Sequence, residues 1–196
     1  MRGTMVLLLV VVTFLAGGCA ASLHPVAPEK GHVFDPALLG TWKRVEPKDV
    51  DNPVITVVSP DNDSYEASFH DEGKTMAQVY TIYLFRLNGV LFYDGAFSRL
   101  ALRDETIKAG EVPAYPVHAF GRLWIDEDEV RANVLDEDWL EKALKEKKLQ
   151  LSHEAGSRES GIDILLTGPS EEIRDFSQKS ADEKDAFQQW VFRRQK

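Results

Sequence analysis

Asn88-Gly89 stands between two long apolar runs, "VYTIYLFRL" (79–87) and "VLFYDGAF" (90–97). Both residues tolerate the positive φ of a type I′ turn, so the pair predicts a two-residue β-hairpin. Such a loop fixes the register. Leu87 falls opposite Val90, Phe85 opposite Phe92 and Tyr83 opposite Asp94. The other face carries Tyr80, Ile82, Leu84, Leu91, Tyr93 and Phe97. Side chains alternate along a strand, and here both faces are apolar, so both must be covered. One face can line the interior of a barrel. The other needs helices packed outside it.

The rest of the chain supplies both parts. Further strands are predicted at 38–45, 54–59, 64–70, 117–125, 130–135 and 162–167, with a closing strand at 190–194. Several are joined by turn residues, as in "PDND" (60–63) and "DEDE" (126–129). Successive antiparallel hairpins build an up-and-down barrel. The stretch 136–148 predicts an amphipathic helix. Asp136 is the N-cap, acidic residues fill the first turn, lysines the last, and Trp139, Leu140, Ala143 and Leu144 form one apolar stripe. "GPSEEIRDF" (168–176) predicts a second helix with Ile173 and Phe176 inward, and Ser180-x-x-Glu183 reads as the capping box of a short third. The fold class is mainly β: an antiparallel up-and-down barrel with two or three helices outside it near the C-terminus.

"LLGTWKRV" (38–45) contains Gly40-x-Trp42 at the opening of the first strand. This resembles the G-x-W signature of lipocalins and their calycin relatives. The resemblance implies that Gly40 allows a tight start to the strand and that Trp42 closes one barrel end beneath an arginine of the last strand. Arg193 and Arg194 are the two arginines available. Only one can face Trp42, and Arg194 shares a face with Trp190 and Phe192. The order from "HAFGRLWI" (118–125) through "DEDWLEKAL" (136–144) to "LLTGPSEEIRDF" (165–176) also resembles an uncharacterised group of bacterial lipoproteins with lipocalin-like domains.

The N-terminus gives an expected address. Arg2 precedes an apolar run at 5–15, then Ala16-Gly17-Gly18-Cys19. A charged start, a short apolar stretch and small residues describe a signal peptide. The run is shorter than the ~20 residues of a spanning helix. Cys19, the only cysteine in the chain, completes a resemblance to the lipoprotein lipobox. That family is cut before the cysteine, whose sulfur takes a diacylglycerol and whose new amine is acylated. The expected organisation is a signal peptide at 1–18, a flexible tether at 19–36 starting at the lipidated cysteine, and one lipocalin-like barrel domain at 37–196. The location is the cell envelope. Ala20-Ala21 lack the aspartate that resembles an inner-membrane retention signal, which favours the outer membrane of a two-membraned bacterium. A net charge of −9 argues against nucleic acid as a partner.

Motifs for chemistry are absent. His24, His32, His70, His118 and His153 are scattered without metal-ligand spacing, and His118 reads as a structural histidine. Asp61, Asp63 and Glu72 mimic calcium-loop positions, but Tyr65 and Glu66 occupy places that need an oxygen ligand and a turning Gly. No metal, cofactor or catalytic residue is expected, and an enzyme is the least favoured class. Aromatic residues are the ligand-binding candidates: Tyr80, Tyr83, Phe85, Phe92, Tyr93 and Trp124. The expected function is an envelope lipoprotein, held to the membrane through Cys19, that binds a small apolar ligand or lipid in a barrel cavity. The alternative is a filled barrel serving as a scaffold for an envelope protein partner.

Overall fold

The computed structural model describes residues 19–45, 54–70, 77–101, 106–108, 117–157, 162–183 and 185–196. The expected signal peptide at 1–18 lies outside the described residues.

Eight strands close into an antiparallel barrel. They are β2 (Gly40–Arg44), β3 (Val54–Val58), β4 (Tyr65–His70), β5 (Ala77–Leu87), β6 (Val90–Ala101), β8 (His118–Ile125), β9 (Glu129–Leu135) and β12 (Phe187–Arg194). Each pairs with the next in this order, and β12 returns to β2, so the winding is up-and-down. Asn88 (φ 49°) and Gly89 (φ 84°) make the positive-φ turn of the β5–β6 hairpin. The hairpin register pairs Leu87 with Val90, Phe85 with Phe92 and Tyr83 with Asp94.

Four short strands lie outside the barrel: β1 (Cys19–Ser22), β7 (Thr106–Lys108), β10 (His153–Ser157) and β11 (Ile162–Leu166). β7 extends the edge at β6. β1 runs parallel to β11, which pairs antiparallel with β10, and β1 joins the barrel where Ser22 pairs with His118. Next to this junction β9 leaves the side of β8. Gly121 makes the crossing possible, because a Cβ there would collide with the Asn133 carbonyl oxygen.

Two helices, α1 (Glu137–Lys145) and α2 (Ser170–Ser180), are inserted between β9 and β12. The Asp136 side chain caps α1 by accepting from the Trp139 N–H at 2.9 Å. The third helix expected after Ser180 is not formed in the described residues. The Glu183 N–H bonds the Ser180 carbonyl in a turn instead, and Ala186, fully buried, accepts from the Asp136 N–H. That contact turns the chain into β12 at the point where a helix would have carried it away.

The hairpin faces divide two cores. Leu84, Trp42, Tyr65, Leu123 and Phe192 face the barrel interior. Phe85, Phe92 and Phe120 face outward into a second core, where Leu140 of α1, Ile173 and Phe176 of α2, and Ile164 and Leu166 of β11 cover them.

The segment 19–36 is not a flexible tether. Its first four residues are β1, and Val26 is fully buried in the outer core. Asp94, 2 % exposed, accepts from the N–H groups of Val26 and Ala27, both at 2.8 Å, and Arg174 donates to the Val26 carbonyl. A buried carboxylate needs donors, and the N-terminal segment supplies two of them. The proline-rich composition that suggested slack holds an extended strap against the barrel wall.

Candidate functional site

The barrel interior is the candidate site, and its closed end is built around Trp42. This residue is 2 % exposed, and its indole N–H donates to the Leu38 carbonyl at 2.9 Å. The register sets Arg194 opposite Trp42 on adjacent strands, with the guanidinium carbon 4.2 Å from the ring centroid. Arg194 also donates to three carbonyl oxygens: Leu39 at 2.7 Å, Ala37 at 2.7 Å and Glu127 at 2.8 Å. Arg193 pairs with Lys43 and takes the other face of β12. Gly40 is required beside this cluster. Its φ of 129° disfavours a side chain, and a Cβ would stand 2.5 Å from Arg194 Nη1.

A one-turn 3₁₀ segment, Pro36–Leu38, plugs the same end and buries Leu38. Tyr65, fully buried, holds the segment in place. Its hydroxyl accepts from the Asp35 N–H at 2.6 Å, and Phe34 stacks on its ring. Burial pushes the Tyr65 hydroxyl pKa upward.

Beyond Trp42 the interior is hollow. A cavity of about 150 Å³ is lined by Ile55 and Val57 of β3, Ala67 and Phe69 of β4, Ile82 of β5 and Tyr93 of β6. Ala119 and Leu123 of β8, three residues of β9, and Trp190 and Phe192 of β12 complete the wall. The lining is almost wholly apolar. An enclosed apolar cavity of about this size has room for a molecule such as benzene.

Of the six aromatic residues singled out from the sequence, Tyr93 alone lines this cavity. Tyr80 shares the inner face and packs edge-on to Phe69 at 5.3 Å. Phe85 and Phe92 are outside, stacked on each other beneath the helices. Tyr83 is also on the outer face, 4.5 Å from the His32 ring. Trp124 lies between two arginines, 4.6 Å from Arg122 and 5.7 Å from Arg131. Alternation explains the division: Tyr80 and Tyr93 share the inward set with Leu84, while Tyr83, Phe85 and Phe92 share the outward one. The residues missed were mostly aliphatic and came from strands read only as framework. The inward parity of Trp42 and Phe192 would have found Ile55, Ala132 and Trp190 once the pairing was known.

Among the described residues the polar groups do not converge on the cavity wall. His118 bonds Asp94 at 2.8 Å on the outer face. The Asp61 carboxylate is occupied by the N–H groups of Asp63 and Ser64, which hold its pKa below the usual range. Among the described residues no cluster of three histidine, cysteine or acidic side chains could hold a metal ion.

Compared with known proteins, the chain matches no family model, no curated protein and no solved structure.

Proposed function

We propose that this chain is a lipid-anchored envelope protein with a lipocalin-like barrel that holds a small apolar ligand. The observation that carries the reading is the apolar cavity behind Trp42. A protein interior is normally packed to the density of an organic crystal, so a hollow of this size forfeits contact energy that a ligand restores. The closed end supports it as well, since Trp42, Arg194 and the 3₁₀ plug seal one mouth and give the cavity a floor. The anchor rests on the lipobox resemblance of residues 16–19, and the envelope location follows from it.

The scaffold reading has less support. Its barrel would be filled, and it would present apolar surface to a partner. Among the described residues the large apolar side chain left exposed is Val58, which makes no patch.

Native mass spectrometry of the purified protein tests the ligand reading. A bound small molecule, released when the protein is denatured, is the expected result. A protein that carries none, and takes up none of a panel of small apolar compounds, refutes it.

A further inference from the structure

Among the described residues, those lining the barrel cavity are apolar or turn their polar atom away from it. The Trp42 indole N–H donates to the Leu38 carbonyl at 2.9 Å, and the Tyr93 hydroxyl donates to the Asn133 carbonyl at 3.3 Å. Trp190 Nε1 is covered by protein atoms. The strand backbones direct their N–H and C=O groups along the ladders to their neighbours. A hydroxyl or carboxylate placed in the hollow would give up its water and find no partner.

The hollow has an origin in the sequence. Interior positions of an eight-stranded barrel are ordinarily filled by side chains. Here alanine stands at three of the lining positions: Ala67 of β4, Ala119 of β8 and Ala132 of β9. Their cross-strand neighbours are large. Ala67 lies between Val57 and Tyr80, and Ala132 lies between Leu123 and Trp190. The space left by the alanines is walled in part by the rings of Trp42, Phe69, Tyr93, Trp190 and Phe192. Ring-to-ring contacts in edge-on or offset geometry gain more than their buried area alone. A hollow of about 150 Å³ has room for one further ring. We propose that the cavity selects a single-ring aromatic molecule without hydrogen-bonding groups, and that Ala67, Ala119 and Ala132 set its size. The assignment rests on the cavity being a ligand site. It goes beyond that reading in naming the ring, in excluding amphiphiles and in naming the residues that determine specificity.

Calorimetric titration of the full chain with toluene, phenol, benzoate and 1-hexanol tests the class of ligand. Three of the probes share a ring and differ in polarity, and the fourth is a flexible amphiphile. Toluene is expected to bind, phenol at least about ten-fold more weakly, and benzoate not at all. Ala67→Leu fills the hollow. It should abolish toluene binding and shift the melting temperature upward, because the added atoms occupy space that is otherwise empty. Ala119→Val adds less volume and decides the matter if Ala67→Leu does not fold. Phenol or benzoate binding as tightly as toluene, or 1-hexanol binding where toluene does not, overturns the neutral-ring assignment and leaves the apolar site standing. Toluene affinity unmoved in a folded variant overturns the role of the alanines. Failure of all four probes to bind the unmodified protein overturns both the assignment and the ligand reading beneath it.

Discussion

Arg194 lies over Trp42 and ties the last strand to the first, with its guanidinium 4.2 Å from the indole ring. The same side chain holds the carbonyls of Ala37 and Leu39, so one residue fastens the barrel seam and the plug beneath it. The contact with the ring is worth about 0.5–2 kcal/mol, and hydrogen bonds from a charged donor add to it. Arg194→Ala is therefore expected to lower stability by roughly 2–4 kcal/mol in urea unfolding. Arg194→Lys should recover only a minor part, because an ammonium lacks the planar fork. A Lys variant as stable as the original would mean that charge alone makes the seam.

The outer core gives a second expectation. Leu140 is fully buried between α1 and the barrel wall, whereas its neighbour Trp139 is half-buried and stacks on Phe176. Leu140→Ala should cost roughly 2–5 kcal/mol, the range for a buried leucine. Trp139→Ala should cost less than Leu140→Ala, because its ring already lies partly in solvent. Thermal melts of the two variants give the order, and a larger loss for Trp139 would contradict it.

Glu137 makes stability depend on pH. Burial first, and then the nearby Asp163, raise its pKa from 4.5 to about 7. The folded protein thus binds a proton here that the unfolded chain releases near pH 4.5. The folded state is favoured below that pH, and the advantage is lost as pH rises through about 7. The group is partly exposed, so solvent screening limits the effect to about 1 kcal/mol. Melting temperature should fall between pH 5 and pH 7, and Glu137→Gln should flatten that slope. An unchanged slope in the variant would assign it to another group.

The proposed membrane anchor is tested at Cys19. Cys19→Ser removes the only thiol able to take the lipid. The variant should remain unprocessed or become soluble. Mature protein that still partitions with the membrane would exclude lipidation at this residue.

How far the sequence could be read depended on how local each signal was. The β5–β6 hairpin was legible to the residue, because Asn88-Gly89 sets both turn and register within a few positions. The Asp136 cap and the stripe of α1 were legible for the same reason. β1 and β10 were not. "CAAS" and "HEAGS" carry no alternation and little β preference, and they are strands only because β11 lies between them. The strap at 23–36 was misread because its partner, Asp94, is far along the chain. The third helix failed by the reverse route, when a local capping signal at Ser180 lost to a distant bond between Asp136 and Ala186. The site was legible as a barrel interior, but five of the six aromatic residues chosen for it came from both sides of one strand pair. Ile55 and Trp190 reach the cavity wall from strands far apart in sequence, where no spacing could reveal them.

The strap has a mechanical consequence. Cys19 is the first residue of β1, with no free chain between it and the sheet. An acyl anchor on that residue would place the barrel against the lipid headgroups, without the reach of a leash. Tension on the anchor would be carried along β1 into its parallel neighbour β11, loading several hydrogen bonds at once rather than peeling them one by one. It would pass next to the clasp between Asp94 and Val26. The outer core and the membrane would then be joined by a stiff linkage, so that the barrel's orientation relative to the bilayer is set by strand pairing.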